Sequence, residues 1–330
     1  VMKIFITGAT GYIGHQLALK LANDGNIVHI IVRDQLSPNI PVHNNIIVFR
    51  GDITDISSLK IAMAGCLQVY HTAAIVKLFA KDPSIFYKIN VEGTRNLLHA
   101  SLDAGVKKFV YTSTCGVLGA SVNTPKSEND PRTESFDNEY EFTKFLAENL
   151  VKDFVHKGLF TVIVSPSKVY GPGIETHPIS VNWAINKFIK GKLTIIPKPS
   201  NILSNYCFID DIVNGHILAM KHGLGGEKYI LGGDNLSYKT LFHELRLLSG
   251  SKARIIQAPM FVVKMWALMQ WCKYLITKEE PFVTLKGIHH IFINKVYCNE
   301  KAKQKLGYRP TPLREALKQT IQFCKTKNYA

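Results

Sequence analysis

The chain has 330 residues, of which 46% are hydrophobic and 20% are charged, a composition typical of globular proteins rather than of disordered or fibrous ones. Its length allows one large α/β domain, or a main domain with a smaller lobe, and a chain of this size buries roughly three quarters of its unfolded surface. The six cysteines are scattered without any Cys-x-x-Cys pair, which argues against a disulfide framework and against a bound metal.

The formal net charge of +15 raises the question of a nucleic-acid partner. The basic residues are dispersed, however, with no run of five or more and no matching ladder of aromatic residues, so we expect no nucleic-acid binding. A surface that attracts a phosphorylated small molecule is the better explanation. Met2 leads directly into an apolar run without a signal peptide, and together with the scattered cysteines this predicts a cytoplasmic protein.

Short apolar runs alternate with amphipathic stretches along the first two thirds of the chain, which is typical of parallel sheets built from strand–helix–strand units. The predicted strands are 3–7, 27–32, 46–49, 68–71, 108–112 and 161–165. The predicted helices are 12–23, 56–64, 85–104 and 139–156. The strands are rich in Val, Ile and Phe without alternation, so we expect them to be buried on both faces of the sheet.

Beyond about residue 166 the pattern changes to mainly helical stretches, separated by proline- and glycine-containing loops such as 170–173 and 197–199. The segment 260–276 is apolar, but Lys264, Gln270 and Lys273 interrupt it. A membrane-spanning helix needs about 20 mostly uncharged residues, so we predict no integral membrane segment. The segment is instead predicted as a core helix or an apolar lid over a substrate site, with peripheral membrane contact as a third interpretation.

A glycine-rich stretch, residues 7–14 (TGATGYIG), follows the first predicted strand and opens the first helix. In this setting Gly8 permits the tight turn, Gly11 lets the backbone approach a pyrophosphate, and Gly14 lets the helix pack closely on the sheet. The helix N-terminus offers unpaired N–H groups and the positive end of its dipole to the phosphates. The loop therefore predicts a dinucleotide site. Its other expected contacts are Thr10, Tyr12 and Ile13.

The end of the second strand bears on the choice of dinucleotide. An acidic residue there binds the ribose hydroxyls of NAD, whereas an arginine pairs with the 2′-phosphate of NADP. Here Arg33 and Asp34 stand side by side, so the pair by itself leaves both cofactors open. After the third strand, Asp52 is a candidate acceptor for the adenine amino group, with Ile53 beside it.

Tyr140 and Lys144 are four residues apart on the helix predicted for 139–156, so their side chains share one face. We expect the lysine to favour the phenolate and so to lower the pKa of Tyr140 from its usual value of about 10. Such a tyrosine donates a proton to a carbonyl oxygen as hydride arrives at the carbon, or removes a proton in the reverse direction. The pair therefore predicts redox chemistry between a carbonyl and an alcohol.

The strand that precedes this helix supplies hydroxyl groups for the same site. At its carboxyl end Ser113 and Thr114 are both candidates to hold the substrate oxygen beside Tyr140. Open α/β sheets bind ligands at the carboxyl ends of their strands, so residues that follow the other strands should converge there. Those expected to line the nicotinamide half of the cofactor are Ala73, Ala74 and Asn90.

These motifs together resemble the extended short-chain dehydrogenase/reductase superfamily, which also contains nucleotide-sugar epimerases and dehydratases. The resemblance covers nearly the whole chain and includes 7–14, Asp52, 71–74, 90–94, Ser113 with Thr114, Tyr140 with Lys144, Pro166, 169–172 and 208–211. It implies an α/β fold, a Rossmann-type doubly wound parallel sheet with a smaller, mostly helical C-terminal lobe. Residues 2–170 would form the NAD(P)-binding domain and 171–330 mainly the substrate-binding lobe, with some strands returning to the main sheet.

The resemblance also implies roles for single residues. It places a Ser/Thr–Tyr–Lys triad on Thr114, Tyr140 and Lys144, with Lys144 also holding the nicotinamide ribose. Arg33 falls where the superfamily has its phosphate-binding arginine, so NADP is the expected cofactor and NAD the second choice. The expected cofactor contacts from the fifth strand onward are Thr112, Ser113, Tyr140, Lys144, Pro166 and Val169.

Within the superfamily the chain looks most like the dihydroflavonol-4-reductase-like branch, on residues 32–34, 229–233 and 306–310. Two departures from sugar-nucleotide enzymes bear on the substrate. Cys115 and Gly116 stand where the 4,6-dehydratases carry an Asp-Glu pair, which argues against dehydration. Ser204 replaces an arginine that binds the sugar-nucleotide phosphate, a charge-assisted contact worth about 1.5–3 kcal/mol, unless a basic residue elsewhere substitutes for it.

The leading hypothesis is an NADPH-dependent reductase or dehydrogenase acting on the carbonyl or secondary alcohol of a small, fairly apolar substrate. A sugar or nucleotide-sugar epimerase is the first alternative, and a cofactor-binding protein without catalysis is the second. Loops 76–82, 115–138 and 173–205 are expected to contact the substrate, and the resemblance allows a homodimer through helices 85–104 and 139–156. Four apolar residues are expected either to shape the pocket or to form the core of the lobe: Phe261, Trp266, Met269 and Trp271.

Overall fold

The computed structural model of the protein describes residues 1–77, 79–122, 124–174, 180–281, 284–289 and 291–326. Parts of the predicted substrate loops 76–82, 115–138 and 173–205 therefore lie outside the described residues. All six predicted strands are confirmed, and four of them have the predicted bounds. The strands of this half of the chain are β1 (Lys3–Thr7), β2 (Ile27–Val32), β3 (Ile46–Arg50), β4 (Gln68–His71), β5 (Lys108–Thr112) and β6 (Thr161–Pro166).

The predicted helices of this half are also present, with one interruption. They are α1 (Tyr12–Asn23), α2 (Ile56–Met63), α3 (Ser84–Tyr87), α4 (Gly93–Asp103) and α5 (Glu139–His156). The helix predicted for 85–104 is divided, because a π-helical turn spans Lys88–Glu92 between α3 and α4. This wider turn carries Asn90, whose side chain binds the backbone of Ile75 after β4. Such turns shift side chains off the regular helical face and are frequent at functional sites.

The second half of the chain contains more strands than its helical pattern predicts. Its strands are β7 (Lys168–Tyr170), β8 (Thr194–Lys198), β9 (Leu203–Phe208), β10 (Lys228–Leu231), β11 (Asp234–Ser237) and β12 (Ile255–Pro259). Its helices are α6 (Val181–Ile189), α7 (Ile209–His222), α8 (Tyr238–Ser249), α9 (Met260–Thr277), α10 (Leu285–His289), α11 (Glu300–Leu306) and α12 (Leu313–Thr326). Helices still account for most of its regular structure.

Among the described residues, seven strands form a parallel sheet in the order β10-β6-β5-β4-β1-β2-β3. The direction of the order reverses at β1, where Thr7 pairs with Ile31 of β2 on one side and with His71 of β4 on the other. Ile4 and Ile6 belong to a core with α1 and α7, while Phe5 belongs to a second core with α2, α4 and α5. Helices thus cover both faces, which confirms the Rossmann-type doubly wound sheet.

The remaining strands form two small sheets, β11-β9-β7 and β12-β8. Strand β10, in contrast, pairs with β6 at the edge of the main sheet, with Tyr229 opposite Val164. A strand from the second half of the chain therefore returns to the main sheet, as the resemblance implies. The division of the chain at residue 170 into two domains stays a prediction.

The apolar segment 260–276 forms helix α9, and the interpretation of this segment as a core helix is wrong. Ala267 is the one buried residue of α9, and it packs against Ile288 of α10. Phe261, Trp266 and Met269 are exposed. The helix touches the rest of the protein along a narrow stripe, which leaves most of its apolar side chains outside the core. Within the described ranges, no helix has the length and apolar character needed to cross a membrane.

Candidate active site

The glycine-rich loop between β1 and α1 lies against the loop that follows β4. Gly8 has a φ of +78°, a conformation that side chains with a Cβ rarely adopt, and a Cβ there would lie 2.6 Å from the backbone nitrogen of Ala73. A Cβ on Gly14 would overlap the carbonyl oxygen of Gly8 and stand 2.5 Å from Thr72 Oγ1. Both positions therefore need glycine because two loops and a helix meet there within van der Waals contact.

The N-terminus of α1 is left open for an anion. Helix α1 begins at Tyr12, its N-cap is Gly11, and no side chain caps it. Its first turn contains no acidic residue. The positive end of the helix dipole, which no side chain caps, therefore favours a phosphate at this place. A Cβ on Gly11 would meet only the Gly8 carbonyl oxygen, at 3.2 Å, so this glycine keeps open the space above the helix rather than a contact within the protein.

A cavity of about 600 Å³ runs along the carboxyl ends of β1, β2, β3 and β4. Its elongated lining, with a glycine loop and a helix N-terminus at one place and small residues at another, fits a dinucleotide. The predicted cofactor residues that line it are Gly8, Thr10, Gly11, Tyr12, Ile13, Gly14, Arg33, Asp52, Ile53, Ala73, Ala74 and Val169.

The two neighbours at the end of β2 differ in how they face this cavity. Arg33 lines it, whereas Asp34 does not, and one carboxylate oxygen of Asp34 accepts the Leu36 N–H at 2.9 Å. Asp52 lines the cavity beyond β3 and accepts both the N–H and the hydroxyl of Thr54, each at 2.8 Å. The cationic side chain, and not the carboxylate beside it, is therefore the one placed for a ligand.

Sequence reasoning missed the part of the cavity wall that comes from distant segments. Ser180 and Asn182, at the start of α6, line it together with Lys77. The Asn182 side-chain oxygen accepts the Gly171 N–H at 2.9 Å, and the Tyr12 hydroxyl donates to the Gly171 carbonyl at 2.8 Å. These bonds tie the loop after β7 to α1. No local motif marks these residues, because their role depends on chain segments about 160 residues apart coming together.

Asn90 does not line the cavity, although it was predicted to contact the cofactor. It is buried, its oxygen accepts the Ile75 N–H at 2.8 Å, and its amide donates to the Ile75 carbonyl at 3.3 Å and to Thr143 Oγ1 at 3.0 Å. Ile75 itself lines the cavity. Asn90 therefore fixes the loop after β4 to helix α5 and acts on the cavity through that loop.

Tyr140 lies in the first turn of α5, whose start is fixed by the Asn138 side chain accepting the Glu141 N–H at 2.8 Å. The structure brings the Tyr140 hydroxyl close to the hydroxyl of Thr114. Thr114 also accepts the Gly116 N–H at 3.1 Å, which holds its side chain at the end of β5. Burial raises the pKa of Tyr140 above its usual value. The phenol is therefore protonated across the physiological range.

The two candidate hydroxyl groups at the end of β5 point to different places. Ser113 is buried and donates to a carboxylate oxygen of Glu148 at 2.5 Å. Glu148 is paired with Lys228 of β10 at 2.8 Å, and both side chains are buried. Ser113 is thus part of an internal network beneath the site, and Thr114 is the hydroxyl that reaches Tyr140. The neighbouring Thr112 is turned inward as well, with its hydroxyl 2.8 Å from His216 Nε2.

Lys144 is almost completely buried at 2% exposure. Its ammonium donates to the Thr112 carbonyl at 2.6 Å and lies 4.1 Å from the centre of the Tyr111 ring. Burial lowers the pKa of Lys144 to about 7, against the opposing effect of Glu148. The expectation that this lysine lowers the pKa of Tyr140 is wrong for the protein without ligands, since burial of the phenol dominates. Pro166, also expected near the nicotinamide, is buried at the end of β6.

A second cavity, of about 370 Å³, lies beside the start of α5. Its wall combines the loop after β4, the residues just before Tyr140, and helices α9 and α10. The lining residues are Phe79, Ala80, Pro83, Phe86, Asp137, Asn138, Glu139, Ala267, Trp271, Thr284 and Leu285. Most of them are apolar, and the charged ones are both acidic, so the described wall contains no lysine or arginine. We call this the apolar cavity.

One of the four apolar residues expected to shape a pocket does so. Trp271 lines the apolar cavity, where the ring of Phe79 packs 6.1 Å from it and 5.1 Å from Tyr274, between ring centres. Phe261, Trp266 and Met269 point elsewhere on α9 and are exposed. Sequence reasoning missed Phe79 and Leu285. Phe79 lies in a loop that was expected to contact substrate, and that loop was the available signal.

A buried ionic cluster includes Glu141, the residue that follows Tyr140 on α5. Glu141 lies 3.2 Å from Arg132 and 3.1 Å from Lys295, and all three side chains are at least nine-tenths buried. Burial raises the pKa of Glu141, although Lys295 and Arg132 oppose that effect. The cluster joins the loop before α5 and the loop after α10 to the helix that carries Tyr140. Sequence reasoning missed it, because its members are separated by up to 163 positions.

A more open concavity of about 730 Å³, lined in part by Asp234, Glu300 and Lys303, shares no lining residue with either of the cavities above. In the part of the chain that the structure describes, no group of three or more His, Cys, Asp or Glu side chains is placed to hold a metal ion.

Comparison with known proteins gives a consistent result. The model of the NAD dependent epimerase/dehydratase family matches residues 4–232. A protein of Synechocystis sp., provisionally named dihydroflavonol 4-reductase, is 28% identical over 98% of this chain and 95% of its own length. A 3-beta-hydroxysteroid dehydrogenase of Mycolicibacterium neoaurum is 28% identical over 93% of this chain and 87% of its own length.

Among solved structures, UDP-glucose 4-epimerase of Thermotoga maritima superposes with a TM-score of 0.83. The superposition covers 98% of this chain and 99% of the epimerase, at 24% sequence identity. At that identity the likeness describes the fold, and it says nothing about the substrate.

Proposed function

Because this chain belongs to the NAD-dependent epimerase/dehydratase family, as its match over residues 4–232 shows, we propose that it is an NADPH-dependent reductase of a small, fairly apolar aldehyde or ketone. The coarser statement, that it is an NAD(P)-dependent oxidoreductase of the extended short-chain dehydrogenase/reductase type, follows from the family and the relatives. The observation that carries the finer proposal is the apolar cavity beside Tyr140, whose described wall has no basic side chain.

Three side chains contribute to proton transfer at the substrate oxygen: Thr114, Tyr140 and Lys144. When bound, the reduced nicotinamide supplies the hydride equivalent that the carbonyl carbon takes up. Tyr140 donates its phenolic proton to the carbonyl oxygen, and Thr114, whose hydroxyl lies close to that of Tyr140, orients that oxygen. After the proton transfer Tyr140 is a phenolate, and the charged ammonium of Lys144 stabilises it. The raised pKa of Tyr140 suits the reductive direction, because the enzyme starts with the proton in place.

Support for NADPH comes from the end of β2. Arg33 faces the cavity of about 600 Å³ along the ends of β1 to β4, which we call the cofactor cavity. A guanidinium binds a 2′-phosphate with charge-assisted, often bidentate hydrogen bonds. Asp34, which would favour the ribose hydroxyls of NAD, is engaged with Leu36 and does not line the cavity. The arrangement supports NADPH over NADH.

Support for an apolar carbonyl substrate comes from the wall of the apolar cavity. Phe79, Phe86, Trp271 and Leu285 offer contact area to an uncharged molecule. Asp137 and Glu139 at its edge repel a diphosphate. The names of two relatives refer to a dihydroflavonol and to a 3-beta-hydroxysteroid, both uncharged molecules, and this agrees with the proposal.

The test is to follow the loss of reduced-nicotinamide absorbance when the purified protein meets a panel of aldehydes, ketones, steroids and flavonoids. NADPH and NADH are run in parallel. We expect steady consumption of NADPH with at least one apolar carbonyl and a lower kcat/KM with NADH. Absence of turnover with every carbonyl, while bound cofactor co-purifies, would overturn the reductase proposal.

One observation keeps a nucleotide-sugar epimerase as a second candidate. Lys168 donates to Ser204 Oγ at 2.8 Å, so a cation stands beside the position where sugar-nucleotide enzymes carry an arginine. An epimerase would interconvert two UDP-sugars without net consumption of cofactor. Incubation with UDP-glucose or UDP-glucuronic acid, followed by NMR of the sugar protons, distinguishes the two. We expect no new sugar signals.

We also propose a homodimer through α4 and α5, the helices that the resemblance implicates. Phe142 and Phe145 of α5 are partly exposed and pack against the ring of Phe136 at 5.4 and 5.3 Å between ring centres. An exposed aromatic cluster of this kind is typical of interfaces. Sedimentation velocity of the wild type and of Phe142→Glu is the test, and a monomeric wild type would refute the proposal.

A further inference from the structure

Helix α9 has two faces of different character. The face that packs on the protein is a stripe formed by Met260, Val263, Ala267, Gln270 and Tyr274, spaced alternately three and four residues apart. At 3.6 residues per turn, such a stripe covers one side of the helix only. On the opposite side lies what we call the outer arc: Phe261, Met265, Leu268, Met269, Cys272 and Ile276.

The outer arc is exposed to an extent unusual for large apolar side chains. The exposed fractions are 68% for Phe261, 57% for Met265, 66% for Met269 and 83% for Ile276. No other described part of the protein packs on them. A contiguous apolar surface of this kind marks an interaction site. The described structure provides no intramolecular cover for this surface, which leaves it open to a partner.

The charges around the helix indicate the chemical class of the partner. Lys264 and Lys273 lie about 80–100° to either side of the packing stripe at 3.6 residues per turn, so they flank the outer arc on both edges. From 245 to 278 the sequence contains six basic residues and no Asp or Glu. Glu279, just beyond the helix, pairs with Lys273 at 2.6 Å, but both side chains are more than half exposed, so the pair is weak.

We propose that α9 docks this protein on an anionic lipid surface. The helix lies parallel to the membrane plane, the outer arc enters the boundary between headgroups and acyl chains, and Lys264 and Lys273 bind lipid phosphates. The net charge of +15 adds long-range attraction to the same surface. A second copy of the chain is the less suitable occupant, because two α9 helices in contact would bring their lysines together without acidic partners on the helix.

The position of α9 beside the apolar cavity connects the proposed membrane contact with the substrate. Ala267 and Trp271 of α9 line the apolar cavity, so a docked protein would hold that cavity next to the bilayer, where apolar carbonyl compounds partition. This consequence rests on the proposed function. The docking itself does not, since it is argued from the outer arc and its flanking lysines.

The experiment measures binding to vesicles in the absence of cofactor and substrate. The wild-type protein is sedimented with vesicles of phosphatidylcholine containing about 30% phosphatidylglycerol, and with pure phosphatidylcholine. Two variants are compared, Met265→Glu/Met269→Glu in the outer arc and Lys264→Gln/Lys273→Gln at its edges. Leu247→Glu, an equally exposed apolar-to-acidic change on α8 at 60% exposure, is the matched control.

We expect the wild type to bind the anionic vesicles at least tenfold more tightly than the neutral ones. The Met265→Glu/Met269→Glu variant should lose at least tenfold in affinity for anionic vesicles. The variant without both lysines should lose about 25-fold, since each lysine near an anionic surface contributes about fivefold. Leu247→Glu should remain within about twofold of the wild type, in line with a change away from the contact. Melting temperatures of all variants check that they are folded, which is expected because the positions are exposed.

Three outcomes would overturn the proposal: no sedimentation of the wild type with either vesicle, equal loss in Leu247→Glu, or unchanged vesicle binding in a Met265→Glu/Met269→Glu variant that has instead lost a dimer. The NADPH assay is run separately without vesicles. A protein that oxidises NADPH but ignores vesicles refutes the docking alone, and one that binds vesicles but reduces no carbonyl refutes the proposed function alone.

Discussion

The cofactor cavity and the apolar cavity are built in different ways. The cofactor cavity is lined mainly by the turns that directly follow β1, β2, β3 and β4, so its wall consists of short consecutive stretches of chain. The apolar cavity combines residues from 79–86, 137–139 and 267–285. A wall made by consecutive turns of one sheet is fixed once the sheet forms. A wall made by three distant segments depends on how the lobe packs on the sheet.

The two cavities also differ in charge. The cofactor cavity has the open N-terminus of α1, Arg33 and Lys77 in its wall, all of which attract phosphates. The apolar cavity has Asp137 and Glu139 at its edge and no basic side chain in its described wall. These charges suit the proposed function, with an anionic cofactor in one cavity and an uncharged substrate in the other. Substitutions in one region should leave the other unaffected.

The largest effect is expected at Tyr140, which belongs to the reaction and to neither binding region. Tyr140→Phe removes the proton donor and should lower kcat by roughly 10²–10⁴-fold. The Kd of NADPH, measured by fluorescence titration, should change little, because the phenol does not line the cofactor cavity. Tyr87→Phe, at an exposed tyrosine, is the matched control and should keep full turnover. Retained activity in Tyr140→Phe would remove the tyrosine from the mechanism.

Arg33 tests the phosphate preference of the cofactor region. Arg33→Gln removes a charge-assisted contact worth about 1.5–3 kcal/mol, so the Kd of NADPH should rise roughly 10- to 100-fold. The Kd of NADH and the KM of the carbonyl substrate should not change. Asp34→Asn serves as the control, since Asp34 faces away from the cavity. A similar loss for NADH and NADPH would contradict the assignment of Arg33 to the 2′-phosphate.

Substitutions at two glycines of the loop should have different effects, one on cofactor binding and the other on the stability of the fold. In Gly11→Ala the new methyl group meets only the Gly8 carbonyl at 3.2 Å, so the melting temperature should stay close to that of the wild type. Both NADPH and NADH should bind roughly tenfold more weakly, because the methyl group fills the approach of the pyrophosphate. Gly14→Ala, with Thr72 Oγ1 only 2.5 Å from the new atom, should instead lower the melting temperature. The reverse pattern would show that the loop binds no pyrophosphate at Gly11.

Trp271 tests the apolar cavity, where a substitution should weaken substrate binding and leave cofactor binding unchanged. Trp271→Ala removes apolar contact area and should raise the KM of the carbonyl substrate about tenfold, equivalent to about 1.4 kcal/mol of lost burial. The Kd of NADPH should be unchanged. Trp266→Ala, on the same helix but outside the cavity wall, is the control. Equal effects of the two substitutions would mean that this cavity does not hold the substrate.

The smallest effect is a dependence on pH. Lys144 has a pKa of about 7, lowered by burial and raised in part by Glu148, while its other buried neighbour His71 is neutral because its pKa is lowered to about 3. Lys144 is mostly charged below pH 7 and mostly neutral above it. For carbonyl reduction, kcat/KM for NADPH, which reports the free enzyme, should fall to about half near pH 7 and continue downward. Lys144→Arg should abolish this limb, since a guanidinium does not deprotonate there. A wild-type profile that is flat between pH 6 and 9 would refute the role of the lysine charge.

The sheet and its connecting helices could be predicted from the sequence because they depend on local patterns. The non-alternating apolar run 27–32 has few stable alternatives to a buried parallel strand, and β2 has those bounds. The helix 85–104 was predicted as continuous because periodicity does not reveal a π-helical turn. That turn is stabilised by the bonds between Asn90 and Ile75, two residues whose contact exists only in the folded chain.

The apolar segment 260–276 marks the limit of such reasoning. Its composition favoured a core helix or a lid over a membrane contact, but a helix with apolar residues all round carries no information on which side is covered. The packing of α9 against α10 along one stripe decides that the outer arc stays exposed.

The sequence by itself determined the glycine-rich loop, the positions of the first six strands along the chain and the placement of Tyr140 and Lys144 on one helical face. These features follow from periodicity and from spacing within a few residues. Only the tertiary structure decided that Thr114 and not Ser113 meets Tyr140, and that burial sets the pKa values of Tyr140 and Lys144. Desolvation and contacts such as Ser113 with Glu148 depend on which distant segments surround a group, and a linear pattern does not contain that information.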